Sequence, residues 1–444
     1  MRDLFMFGVM LSVLPMAFRS PFVAFLLWVF ATVFSPQLYL YGFMQGFRYV
    51  FVFAGLALLL FWIYKGKKRE PSSFKLEGTS VLLALFVLHA LLSSAFAMQP
   101  NNLVWFRVDV FLKGMVLAFA APFFLTSRWR IHLTLIVLAA GLGFHGVLDG
   151  LKVVASGGGH NIYGIPNSSL ADNNLYALAM VMLLPIFLYL AKYSANRYAK
   201  WVASIAFALC VLTILGSNSR GGFLALAILG VWYWITSSRK MLALVFVSVV
   251  ALGVMQFAPE RWFERIETIK VASEDQSFLG RVAAWKVSVN IGNDNPLLGG
   301  GFHAVQMQWI WNRYKDTPNF IDYNIPSMKA KAAHSNYFQV LGDLGYIGLI
   351  LFLSLLASAF VNRWKIQAVA AKSKTDTAWA TDLATAINLS LVAFMAGGAG
   401  VSLAYFELVY LFIMMLPAIH RILVLESAKK KELVSAPQGG VVHV

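Results

Sequence analysis

Residues 174–191 read Asn-Leu-Tyr-Ala-Leu-Ala-Met-Val-Met-Leu-Leu-Pro-Ile-Phe-Leu-Tyr-Leu-Ala, with no formally charged side chain anywhere in the stretch. As a helix it would span close to the roughly 30 Å hydrocarbon core of a bilayer. It has no polar face to turn toward water, so lipid or other helices must surround it. Asp172-Asn173-Asn174 opens the stretch as a helix N-cap would, and Lys192, Arg197 and Lys200 follow its end.

The same pattern repeats on both sides. Apolar runs fall at about 4–18, 20–35, 47–64, 79–97, 105–125, 131–153, 174–191, 201–216, 222–236, 241–258, 338–361, 383–400 and 405–424. The chain is 59% hydrophobic and 13% charged, with a mean hydropathy of +0.70. Soluble domains carry about 25% charged residues, so a soluble globular chain is excluded, as are disordered, collagen-like and disulfide-scaffold classes. The single cysteine, Cys210, lies inside an apolar run. Met1–Phe34 reads as membrane helix that stays, without a cleavable signal peptide. The fold class is an all-α polytopic membrane protein with 12–13 transmembrane helices and one large loop.

Basic residues end alternate runs: Lys65 to Arg69, Arg128 and Arg130, Lys192 to Lys200, Arg239 and Lys240, Arg363 to Lys374, and Arg421 with Lys429–Lys431. Lys and Arg concentrate in cytoplasmic loops, so these ends and the C-terminus are assigned to the cytoplasm. Much of the net charge of +16 therefore reports orientation, and nucleic acid is excluded as a partner. Thirteen spans place Met1 outside. The first two runs are short and separated by Phe18-Arg19-Ser20-Pro21, which equally fits a re-entrant or broken pair, so 12 and 13 spans both stand.

The chain divides into a helix bundle over 1–258, a loop subdomain over 259–337, C-terminal helices over 338–425 and a polar cytoplasmic tail over 426–444. The loop has nine Lys/Arg and eight Asp/Glu and is rich in Trp and Tyr. That composition predicts a mostly helical subdomain lying on the membrane surface with aromatic anchors. Phe278, Val282, Trp285 and Val289 follow a helical period, and Asn295–Gly301 is a loop by its Pro and Gly.

Ionisable groups at the non-cytoplasmic ends of the spans are the functional candidates, because charge beside hydrocarbon is costly. Arg220 lies in the small-residue turn Gly216–Gly222, where a planar guanidinium suits phosphate oxygens; a snorkelling arginine is the ordinary alternative. Arg281 lies on the predicted loop helix as a second phosphate clamp, though taken alone it reads first as a solvated face. His334 stands where the loop re-enters the membrane, and an imidazole takes a hydroxyl proton near neutral pH. His160 and His303 read as structural. Arg48, Arg107 and Lys113 at outer span ends extend a cationic pocket or snorkel. No HExxH, DxD or CxxC cluster occurs and no carboxylate pair has metal-ligand spacing, so no metal and no cofactor are expected.

Taken in order, Ser219-Arg220-Gly221, Gly280-Arg281 with Trp285, Asn295–Phe302, and His334-Ser335-Asn336-Tyr337 running into a span resemble the O-antigen ligase/O-antigen polymerase superfamily. Asp172-Asn173-Asn174 also resembles a family element. The resemblance implies a bacterial inner-membrane glycosyltransferase with a C-type-like fold and a periplasmic active site. Such enzymes move a glycan from undecaprenyl diphosphate to an acceptor, here a lipid A–core sugar, without metal. By the same resemblance Arg220 and Arg281 hold the diphosphate and His334 is the acceptor base, with Arg48, Lys113, Asp172 and Tyr337 as accessory candidates. Asp343 stands where relatives often have Glu, which puts an orienting role for it in doubt. An O-antigen polymerase and a protein O-glycosylation ligase share this chemistry. A polysaccharide or lipid transporter is the non-enzyme alternative, disfavoured because the polar candidates cluster at one face.

Overall fold

The computed structural model describes residues 1–67, 77–236, 240, 248, 276–373 and 376–435. The described residues form fourteen α-helices and no strand: α1 (Arg2–Arg19), α2 (Pro21–Phe34), α3 (Tyr49–Gly66), α4 (Gly78–Ala95), α5 (Asn102–Phe124), α6 (Arg128–Ala155), α7 (Asn173–Tyr193), α8 (Arg197–Gly216), α9 (Arg220–Thr236), α10 (Gln276–Asp294), α11 (Gln308–Tyr314), α12 (Asn336–Lys372), α13 (Ala378–Gly397) and α14 (Glu407–Ser435). Eight of them, α3, α4, α6, α7, α8, α12, α13 and α14, are long and apolar enough to cross a membrane. Helices α1 and α5 are long enough, but Arg2, Asp3 and Arg19 charge the first and Arg107, Asp109 and Lys113 the second. Helices α2 and α9 are apolar and shorter. Apart from position 248, the run at 241–258 lies outside the described residues.

Side-chain caps start several helices where the sequence puts Asn, Asp or Ser. Asn101, Ser127, Asp172 and Asn196 accept hydrogen bonds from the first N–H groups of α5, α6, α7 and α8. Each such cap is worth about 0.5–2 kcal/mol. Helices α7 and α14 form the centre, with 78% of their spanning windows buried against 28% for α3. That explains the lack of a polar face in 174–191: α7 is enclosed by α6, α8, α9 and α13.

Glycines set the closest helix approaches. Gly146 and Gly150, four apart on α6, face α7 and α8; a Cβ on Gly150 would stand 2.2 Å from the Leu209 carbonyl oxygen and one on Gly146 2.5 Å from Met180 Sδ. Small residues at this spacing let membrane helices pack backbone to backbone.

Helix α12 is bent sharply at Gly345, whose φ of 69° and ψ of −170° are non-helical. The loop at Asn295–Gly301 fills the break. Gly300 N–H donates to the Gly342 carbonyl at 2.9 Å, Gly301 N–H to that of Asp343 at 2.8 Å, and Tyr346 N–H to that of Pro296 at 2.9 Å. Gly299 also has a positive φ of 67°, and a Cβ there would stand 2.4 Å from the Gly345 nitrogen. Both positions require glycine. The Pro/Gly-rich motif thus serves to satisfy a broken helix inside the bundle.

Of the loop segment, residues 276–337 are described. Helix α10 packs on α12 and is buried from Ala283 almost continuously to Ile291. Trp311 is 0% exposed and Trp285 half-buried, whereas Trp309, at 54%, faces outward. Lys286, also buried, donates from Nζ to the Tyr323 carbonyl at 2.9 Å. Asn290 Nδ2 donates to the carbonyls of Tyr314 and Thr317, which ties residues 314–323 onto α10. Trp262 lies outside the described residues. At the C-terminus, α14 continues as helix through Ser435 rather than ending near 425, because 426–435 is rich in Ala, Lys, Glu and Leu, which favour helix.

Candidate active site

Three helix N-termini and one C-terminus meet at one end of the bundle. Helix α9 is joined to α7 through the Gly216–Gly222 turn. Ser219 Oγ accepts from Gly222 N–H at 3.0 Å, capping α9, and donates to Asn174 Oδ1 at 2.8 Å. Asn173 Nδ2 donates to the Ser217 carbonyl at 2.8 Å. Asn218 takes a φ of 53° to make the turn, a conformation Asn tolerates better than most residues. Gly222 lets the helices touch, since a Cβ there would lie 2.7 Å from that of Ala177. The small residues around Arg220 thus serve capping and packing, and leave the arginine exposed on the first turn of α9.

Helix α12 starts beside the end of α13. Asn336 N–H donates to the Gly398 carbonyl at 2.7 Å, and Asn336 Oδ1 accepts from Leu403 N–H at 2.6 Å. The Gly397–Val401 turn brings the other elements together. A Cβ on Gly221 would lie 3.8 Å from Val401 Cγ1, and one on Gly400 3.9 Å from Arg281 Nη1. The N-termini of α7, α9 and α12 therefore converge where Arg220 and Arg281 reach. Helix N-termini carry partial positive charge, which favours an anion placed at this end of the bundle.

His334 precedes α12 with a φ of 43°. Its pKa is pushed down, first by burial, then by Arg281 and Lys331, while Asp172 pushes it up. The imidazole is thus neutral at pH 7 and able to accept a proton. It opens onto a cavity of about 700 Å³ also lined by Arg281, Lys331, Tyr323, Met328 and Leu279. That volume lies within the range of ligand-binding clefts, about 300–1,000 Å³.

Of the residues singled out from sequence, the structure brings together Arg281, His334 and Asp172, with Arg220 on the adjoining turn. Tyr337 lies next to them, but its hydroxyl donates to the Met395 carbonyl at 2.8 Å and ties α12 to α13. Lys113 is paired with Asp109 on its own helix, α5. Arg48 is exposed at the start of α3, which packs on α1 and α2 away from this group. Asp343 is buried two turns into α12; it accepts from the Tyr405 hydroxyl at 3.1 Å and from the backbone of His303 and Ala304. The carboxylate acting on His334 is Asp172. Sequence reasoning missed Lys331, a lysine in a loop with no motif around it. Among the described residues no group of three His, Cys, Asp or Glu side chains is placed to hold a metal ion.

A many-helix membrane protein with a cavity lined by a histidine and cations, next to a turn where helix N-termini converge, is the class that fold and site define. Residues 205–353 match the family model described as O-antigen ligase. That segment contains Arg220, Arg281 and His334 and supports an O-antigen ligase-type family member. Residues 1–195 match a family of unknown function, and no curated protein matches the chain.

Proposed function

We propose that the protein is an inner-membrane glycosyltransferase of O-antigen ligase type. It transfers a glycan from undecaprenyl diphosphate to a sugar hydroxyl of lipid A–core at the periplasmic face. The observation that carries the reading is that Arg281 and His334 line one cavity, with Asp172 close enough to act on the imidazole and Arg220 on the nearby α9 turn.

The donor already has a good leaving group, so catalysis must remove one proton and stabilise one developing charge. His334 takes the proton of the acceptor hydroxyl as its oxygen bonds to the anomeric carbon. The bond from that carbon to the diphosphate oxygen breaks, and its electron pair leaves on the diphosphate. Arg220, Arg281 and the helix N-termini stabilise that charge, the role pre-placed donors play in a partly dehydrated site. A neutral His334 near Asp172 gains from this carboxylate once it becomes imidazolium. A single displacement inverts the anomeric centre.

The test is reconstitution of the full chain in proteoliposomes with an oligosaccharide on undecaprenyl diphosphate. Lipid A–core, a second carrier-linked unit and an acceptor protein are offered in competition. Transfer to lipid A–core, lost in His334→Ala, supports the reading; exclusive transfer to either other acceptor replaces ligase by polymerase or protein ligase. Full transfer by His334→Ala overturns the base assignment.

A further inference from the structure

His334 adopts a left-handed backbone, with a φ of 43°, that is strained for a non-glycine residue. Its own helix does little to hold it there. Ser335, in the N-cap position of α12, makes no side-chain bond to the first turn. The turn is instead fastened from both sides by other elements. On one side Asn336, 1% exposed, is bonded to Gly398 and Leu403. On the other side is Trp285, on α10. Its indole Nε1–H donates to the Ala333 carbonyl at 2.7 Å. Its ring stacks on Phe338 with centroids 5.2 Å apart and planes 15° apart, and Phe278 meets it edge-on at 6.3 Å. Trp285 thus holds the residue before His334 and the residue four after it. Arg281 lies one turn earlier on the same helix face, so the helix that fixes the turn also carries the guanidinium.

We infer that Trp285 is a positioning residue for His334, locking the turn at Ala333–Phe338 so that the imidazole and Arg281 keep one spacing across the cavity. The inference rests on the proposed role of His334 as acceptor base. Misplacing a reacting group by about 1 Å costs on the order of 10²-fold in rate, so a tether of this kind has a large kinetic consequence without touching substrate. The charged groups acting on His334 are Arg281 from α10, Asp172 ahead of α7 and Lys331 from the loop. Loosening the turn exposes the imidazole to water and moves it from Arg281; both changes raise the pH at which it protonates.

The experiment compares Trp285→Phe, which keeps the ring and removes the N–H donor, with Phe338→Leu, which keeps the donor and removes the stack. Both are assayed as full chains in proteoliposomes with the undecaprenyl-diphosphate oligosaccharide and lipid A–core. For Trp285→Phe, kcat falls about 10- to 100-fold, donor KM stays within about two-fold, and the acid limb of the kcat profile moves to higher pH. Phe338→Leu moves the limb in the same direction by less, and decides the matter if Trp285→Phe does not accumulate in the membrane. An unmoved acid limb in every variant that accumulates overturns the inference. His334→Asn separates the two levels. If that variant still transfers glycan, the base assignment has failed; if it is inactive while the Trp285 and Phe338 variants keep the wild-type limb, only the tether has failed.

Discussion

His303 and His334 occupy similar local settings and have opposite surroundings. Both take a positive φ, 70° and 43°. Burial is the main force lowering the pKa of each, and an arginine adds to it, Arg107 for His303 and Arg281 for His334. His303 is pushed down to about 4. It sits at a corner where its backbone and that of Ala304 bond the buried Asp343 carboxylate, while Phe302 packs its ring against Phe111 and Tyr405. His334 has a carboxylate, Asp172, opposing the arginine, and it lines the cavity of about 700 Å³. The left-handed turn is therefore no mark of chemistry by itself. Open volume, and a carboxylate acting on the imidazole itself, distinguish the histidine proposed as the base from the one at the corner.

The largest expected effect comes from His334→Asn. Asn tolerates the left-handed region, so the turn survives while the proton acceptor is lost. General-base catalysis contributes about 10²–10⁴-fold, and transfer in proteoliposomes falls by that factor with insertion unchanged. Wild-type turnover would place the chemistry elsewhere. Next in size are Arg281→Ala and Arg220→Ala. Losing a charge-stabilising donor costs about 10²–10³-fold, expressed in donor kinetics more than in acceptor KM. Equal loss toward both substrates would remove the diphosphate role.

A smaller effect has a definite sign. With His334 as the proposed base, transfer requires the neutral imidazole, so activity is expected to fall as pH drops through its pKa. Burial and Arg281 hold that pKa below the ordinary value of about 6.5, and the acid limb of the wild-type profile lies below it too. Arg281→Ala takes away a lowering charge and leaves Asp172 less opposed, so in residual activity the limb moves up. A limb that moves down in Arg281→Ala would mean that another group titrates.

The helix pattern was legible because long apolar runs have few other uses; every run but the one at 241–258 corresponds to a described helix, and eight of the twelve or thirteen expected spans are helices long and apolar enough to cross a membrane. The site was legible in part. Arg220, Arg281 and His334 stand out as charge at span ends, and their motifs are local. Asp172 reads as a helix cap, which it is; that it also acts on a histidine more than 160 positions away depends on how α7 and α12 pack, which no local pattern encodes. The same holds for Trp285, whose spacing suggests an apolar helix face and whose N–H reaches a loop carbonyl. The break at Gly345 was hidden for another reason: the partners of its freed backbone groups come from the distant Asn295–Gly301 loop.

The finest test of the comparison is His303→Asn. Asn accepts the positive φ, and the backbone N–H groups that bond Asp343 remain. The imidazole leaves no charge behind, because at about 4 its pKa already makes it neutral at pH 7. Transfer should stay within about two-fold of wild type, with the acid limb unmoved, since a side chain that takes up no proton in the cycle contributes nothing to the rate. Lost packing on the ring should lower thermal stability modestly, by about 1 kcal/mol or less. If His303→Asn instead abolished transfer and His334→Asn did not, the reacting centre would belong to the Phe302–Asp343 corner. The cavity and its cations would then be a binding surface beside the chemistry rather than its site.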